Sequence, residues 1–165
     1  MTTTAATPPD LRRAPEAAPS AARRLEPPGL AALRRRFADG PPVAVADLLG
    51  MRPVEVEHGT VTFACEADAR FANPMGTVHG GIIATLLDSA LGCAVQSVLA
   101  EGAGYTTLAL EVKYLRPVAT DAGELRATGT VVHAGRRQAT AEARLTDAAG
   151  RLLATATTTC LVLSP

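Results

Sequence analysis

The stretch NPMGTVHGGIIATLLDSA, residues 73–90, joins a turn-rich opening to an apolar run interrupted by a single acid, Asp88. Ile82, Ile83, Leu86 and Leu87, continued by Leu91, Val95 and Val98, leave hardly any side of a helix polar. A helix that is apolar all round is buried all round, so residues 78–100 read as a central core helix. The run is also long enough to span a bilayer, but an acid near its centre costs about 3 kcal/mol on insertion. With strand patterns following it, the expectation is a buried helix of a soluble domain with no membrane partner.

Outward from that helix the period changes from 3.6 to 2. Upstream, PVEVE and GTVTFACEA read as two strands across a turn at His58 and Gly59, with Val61, Phe63 and Cys65 on one face. Downstream, four strands follow at 105–115, 123–133, 138–145 and 151–163, and Gly135 and Gly150 mark the last two turns. In the third, Ala139, Ala141, Ala143 and Leu145 alternate with Gln138, Thr140, Glu142 and Arg144, the signature of an antiparallel sheet covered on one face. The helix is the one element large enough to cover it. The expected fold is α+β, an antiparallel β-sheet wrapped around a long central α-helix.

The chain has 165 residues, 47% of them hydrophobic, enough for one domain with a sizeable core. Residues 41–165 are read as that domain. Residues 1–40 are read as an N-terminal extension: the Ala, Pro and Arg rich part to about 28 is disordered, and GLAALRRRFADG is a short helix stopped by Gly40 and the Pro41-Pro42 pair. VAVADLLGM offers a second short helix. The formal net charge is zero, and arginines concentrate in the extension while the body is mildly acidic, which argues against a nucleic-acid partner. Cys65, Cys93 and Cys160 are odd in number, far apart and set in apolar runs. They suit reduced core thiols in a cytoplasmic setting, and no ligand cluster suggests a metal.

Two glycines at a helix start expose backbone N–H groups that lack intrahelical partners and sit at the positive end of the helix dipole. Gly80 and Gly81 are therefore placed to hold a developing oxyanion. Asp88 lies eight residues beyond Gly80, ~12 Å along the axis at the rise of an α-helix. It cannot serve its own helix's N-terminus. If both act in one reaction, two chains must place two such helices antiparallel, Asp88 of one facing Gly80 of the other. Plainer structural readings stand beside these: glycines for tight packing, Asp88 as a core acid bonded to Ser89 or to strand backbone, His79 as a helix cap, Asn73 as a loop residue bonding its own backbone.

Those residues, with YTTLALEVKYLRPV and VVHAGRRQATAEARLTDAAGRLLATATTT, resemble the PaaI-like hotdog acyl-CoA thioesterases from about Leu48 to Leu163. The resemblance implies a hotdog fold and a homodimer or dimer-of-dimers tetramer that hydrolyses an acyl-CoA without a cofactor. It implies that Gly80 N–H and Asn73 polarise the thioester carbonyl. Asp88 of the neighbouring subunit attacks it or activates water, His79 orients the thioester, and Thr107 (with Thr106 as the register hazard) places the water. Arg136 and Arg137 in the AGRRQ turn, and more weakly Arg116, are candidate donors to CoA phosphates. An aryl-lined acyl pocket would draw on Phe63, Phe71 or Tyr105. The alternatives are a non-catalytic acyl-CoA-binding or regulatory protein, a thioesterase acting on an acyl carrier protein, and, last, a hotdog hydratase.

Overall fold

The computed structural model describes residues 26–40 and 43–164. Most of the tail expected to be disordered, and the Pro41-Pro42 pair, lie outside the described residues. The elements run α1 Pro28–Asp39, α2 Ala44–Leu49, β1 Arg52–Glu57, β2 Thr60–Glu66, a 3-10 turn Ala69–Phe71, α3 Gly80–Val98, β3 Gly104–Tyr114, β4 Glu124–Ala134, β5 Gln138–Asp147 and β6 Leu152–Leu163. All six strands form one antiparallel sheet in the order β1-β2-β4-β5-β6-β3. β3 leaves the helix and crosses to the far edge of the sheet, so β1–β2 and β3 flank the strands α3 lies across. This is the hotdog architecture expected from the element order.

Small residues decide how closely helix and sheet approach. Ala127, Ala139, Ala141, Ala143 and Ala156 are all buried in the core together with Leu86, Leu87, Leu91 and Val95 of α3. At Gly129 on β4 a Cβ would stand 2.5 Å from the Ala90 carbonyl oxygen, so any larger residue would push the layers apart. Leu87 and Leu91 are fully buried, and each contributes about 1.5–3 kcal/mol by leaving water. α3 passes as a membrane span by length and mean hydropathy (1.5), but its apolar surface is the middle of this core.

The expectation that α3 is buried on every side holds only where the sheet lies. Gly81, Ile82, Ala84, Thr85, Asp88, Ser89, Cys93 and Gln96 are half-buried or exposed in the single chain. One sheet covers one side of a helix, and the apolar composition of the other side is left for something else to cover.

The boundary expected after residue 40 does not mark off a separate unit. Leu30 and Leu33 of α1 are buried, and a Cβ on Gly29 would come within 2.4 Å of the Gln96 carbonyl oxygen, so α1 is seated on the C-terminal half of α3. Phe37 meets Phe63 of β2 edge-on, ring centroids 5.7 Å apart. Arg34 ties α1 to β1 by donating to the Val56 carbonyl oxygen at 3.0 and 2.6 Å and pairing with Glu57 at 2.9 Å. The ion pair is exposed and worth at most ~1 kcal/mol; the buried leucines hold the helix.

Candidate active site

The start of α3 is built almost wholly from backbone. Gly76, at φ 80, turns the preceding loop, and bridges from Ala72 to Val78 and from Thr77 to Ala119 pin it. Asn73 closes that loop on itself: its Oδ1 accepts from Met75 N–H (2.9 Å) and Thr77 N–H (3.2 Å), and its Nδ2 donates to Thr77 Oγ1 (2.9 Å). In the single chain, then, Asn73 does what a loop asparagine does by default, and in doing so fixes where α3 begins.

His79 is the N-cap of α3, and its Nδ1 accepts from Gly81 N–H at 2.9 Å. Two consequences follow. The neutral ring carries its proton on Nε2, and Gly81 N–H is consumed by the cap. The glycine pair expected to offer two donors therefore offers one: no partner for Gly80 N–H is found among the described residues. Ile82 and Ile83 N–H already turn to the His79 carbonyl oxygen at 3.0 and 3.3 Å.

Tyr114, a residue the sequence reading passed over, sits at this point. Its hydroxyl donates to the Gly80 carbonyl oxygen at 2.9 Å, and its ring stands 3.2 Å from where a Gly80 Cβ would lie. Asn73, Gly80, Tyr114 and Arg116 line one open groove of about 340 Å³. The signal available in the sequence was the aromatic of KYLRP, which strand alternation across a bulge turns toward the helix.

That bulge also sets the second half of the site. β3 pairs with β6 through a register shift between Thr107 and Ala109. The extra residue carries Tyr105 and Thr107, then Leu110 and Val112, onto the inner, half-buried face and leaves Thr106 and Leu108 exposed. Thr107 Oγ1 donates to Asp88 Oδ1 at 3.1 Å. The neighbouring hydroxyls are spent within the helix, Thr85 on the Gly81 carbonyl and Ser89 on the Thr85 carbonyl, each at 2.9 Å. So Asp88 is bonded neither to Ser89 nor to strand backbone, and Thr107 rather than Thr106 is its partner.

Asp88 lies on the wall of a cavity of about 370 Å³, with Ser89, Cys93 and Tyr105 beside it and Phe37 and Phe63 also lining it. Gly92 makes room for Tyr105, whose ring would overlap any Cβ there. Burial first, and the Asp88 charge second, push the Cys93 thiol up to about 12. Burial likewise raises the Tyr105 phenol, with smaller contributions from Cys93, Asp88 and Cys160. Of the aromatics named for an aryl pocket, Phe63 and Tyr105 line this cavity. Phe71 is buried instead in the turn before α3 and accepts His79 N–H on its carbonyl at 2.8 Å.

The arginines divide. Arg116 shares the groove with Gly80 and donates to the Leu152 carbonyl oxygen at 2.5 Å. Arg136 and Arg137 line a separate cavity with Leu161 and Val162, at the end of the sheet where β3 begins. Within one chain the candidate ranked weaker from sequence is the one beside the helix start. Gly80 and Asp88 likewise stand apart, in separate cavities and eight residues along one helix.

The chain as a whole has relatives among known proteins. The family model described as Thioesterase superfamily matches residues 75–154. A candidate thioesterase of Ralstonia eutropha JMP134, related to phenylacetic acid degradation, is 33% identical; the match covers 78% of this chain and 98% of that one, with a TM-score of 0.71. A mutant of the phenylacetic acid degradation protein PaaI of Thermus thermophilus is 28% identical over 72% of this chain and 98% of that one, with a TM-score of 0.66. A curated Halobacterium salinarum protein, named as a candidate esterase, is 46% identical over 69 residues, 41% of this chain and 44% of its own length. The chain thus spans under half of that curated relative. With a relative one-third identical along nearly its whole length and the same fold, the chain belongs to the thioesterase superfamily, among its PaaI-like hotdog members.

Proposed function

We propose that the protein hydrolyses acyl-CoA thioesters to free acid and CoA at a site shared between two copies of the chain, in a cytoplasmic setting. The observation that carries this reading is the Asp88–Thr107 pair: a carboxylate held by one hydroxyl on the wall of a largely apolar cavity. A carboxylate in such surroundings costs folding energy that one hydrogen bond only partly offsets, which points to a use for it there. The open Gly80 N–H supplies the complementary donor for the carbonyl oxygen, which gains negative charge as the carbon is attacked.

The route that joins them runs through the sheet edge. β3 ends the strand order, so its outer N–H and C=O groups have no partner strand among the described residues. An antiparallel pairing of two β3 edges centred near Leu110 and Glu111 would set Thr107 of one chain opposite Tyr114 of the other. The half-exposed stripe of α3 would then face its own copy, with Asp88 near the second chain's Gly80. In the reaction Asp88 either draws a proton from a water whose oxygen bonds to the carbonyl carbon, or itself attacks to form an acyl anhydride that water then hydrolyses. The oxyanion rests on Gly80 N–H, the C–S bond breaks, and the CoA thiolate leaves and takes up the proton. Arg116, exposed in the Gly80 groove, is the cation best placed for a CoA phosphate.

The test is release of free CoA from acetyl-, octanoyl- and phenylacetyl-CoA by the native chain and by Asp88→Asn. Hydrolysis of at least one, falling by about 10²–10⁴-fold in the variant, is the expected result. An unreactive native protein, or a variant as fast as the parent, ends the proposal.

A further inference from the structure

The cavity beside Asp88 has walls that the family match does not include. The Thioesterase superfamily model begins at residue 75, yet Phe37 from α1, Val45 and Ala46 from α2, Met51 at the entrance to β1 and Phe63 of β2 enclose the space into which the acid faces. We infer that α1 and α2 form the acyl-binding wall, with Phe37 and Val45 setting the length of an apolar acyl group that extends from Asp88 between α2 and α3. The inference rests on the thioesterase reading above and names the substrate class of that same site.

Three observations carry it. Asp88, Cys93 and Tyr105 line one cavity together with the Phe37–Phe63 edge-on pair, so a group bonded to a carbonyl carbon at Asp88 has this space beside it. Its volume of about 370 Å³ lies in the usual range for a site that encloses a small ligand, ~300–1,000 Å³. That is room for an acyl chain well beyond acetyl. The third is Val45, which lines the cavity while 43% exposed, so that an acyl chain there would cover it; Leu48 on the same helix is more exposed, at 70%, and does not line the cavity. The charged residues at this site, Arg36 and Asp47, come from the last turn of α1 and the exposed side of α2. The remaining wall favours a neutral, apolar acyl end.

The experiment measures kcat/KM on the full chain for straight acyl-CoAs from acetyl to hexadecanoyl, for the native protein, Val45→Phe and Phe37→Ala. The native value is expected to climb from acetyl to a maximum at an intermediate chain length and then fall. Val45→Phe, a change at a half-exposed position that folding tolerates, is expected to cut decanoyl-CoA turnover about ten- to hundredfold while leaving acetyl-CoA within about twofold. Phe37→Ala is expected to move the maximum to longer chains; circular dichroism shows whether it remains folded. A length profile that neither variant moves, or a loss equal at every length in a folded variant, overturns the acyl wall while the thioesterase reading stands. No hydrolysis of any acyl-CoA by the native chain removes both.

Discussion

The two ends of the site along α3 are made in opposite ways. At residues 73–81 the working group is a backbone N–H, and side chains serve to hold it in place: Asn73 closes the loop, His79 caps the helix, Tyr114 fastens the Gly80 carbonyl. At Asp88 the working group is a side chain, and the fold holds it through one hydroxyl from a bulged edge strand and a partly apolar cavity. The first end is an open groove held mainly by residues of its own loop and helix start, with Tyr114 and Arg116 added from β3 and the segment after it. The second depends on strand register and on helices from the start of the chain. A reaction that needs both ends cannot be completed inside one copy, because the helix that carries them also separates them.

The sharpest way to break that comparison is to destroy one end in each of two chains. Gly80 is the first helical residue, and His79 before it has φ −62 and ψ 134, a conformation that a following proline accepts. Proline at the first position of a helix removes the N–H without ending the helix. Gly80→Pro and Asp88→Asn should each be nearly inactive alone. Mixed in equal amounts and allowed to exchange, they should recover roughly a quarter of native activity, since half the dimers are mixed and each has one of two sites intact. CoA release in the mixture staying at the level of the separate variants would show that the two ends do not work together.

The next effect tests the acid end alone. Thr107→Val removes the hydroxyl on Asp88 and keeps the shape, whereas Thr106→Val alters an exposed residue one position away on the other side of β3. The expected fall in kcat is about tenfold for Thr107→Val, the worth of one hydrogen bond to a charged group, and under twofold for Thr106→Val. Equal effects would place the wrong residue at Asp88.

How much of this could be read from sequence follows from the same contrast. Gly80 as a helix start and Asp88 two turns on were legible because helical rise is fixed; Thr107 came only from the family resemblance, with Thr106 as its register hazard, and the β3 bulge is what separates the two. The closure of Asn73 on its own loop and the loss of Gly81 N–H to His79 were not legible, because a carboxamide and an imidazole have several local partners of similar energy. The packing of α1 on α3 was hidden for another reason. Gly29 carries no apolar signal, yet its lack of a side chain is what lets α1 approach Gln96 and Leu99. The Pro27-Pro28 pair at the start of α1 and Arg34, Arg35 and Arg36 within it read as an appendage, while Leu30, Leu33 and Phe37 carry its packing.

A smaller effect is expected at the backbone end. Tyr114→Phe keeps the ring against Gly80 but removes the hydrogen bond to its carbonyl, worth about 0.5–1.5 kcal/mol. Because the bond fixes the orientation of a donor rather than supplying one, the loss should fall on kcat by a few-fold with KM nearly unchanged. A change in KM alone would assign Tyr114, which is 53% exposed, to binding the carrier instead.

The smallest shift probes how enclosed the acid end is, through Cys93. Burial holds its thiol protonated, up to about 12, and the Asp88 charge adds to that in the same direction. An exposed cysteine titrates near 8.5, so at pH 8 Cys93 holds on the order of a thousandth as much thiolate and should react correspondingly slowly with a neutral alkylating reagent. Its rate should climb about tenfold per pH unit through pH 10, with no plateau. Asp88→Asn removes only the lesser of the two causes, so it should speed alkylation by a small factor, two- to threefold, and leave the slope with pH intact. A plateau near pH 9 in the native protein would mean the cavity wall opens to water on the timescale of the reaction. The two ends of the helix would then be alike in exposure, and the contrast would reduce to backbone against side chain.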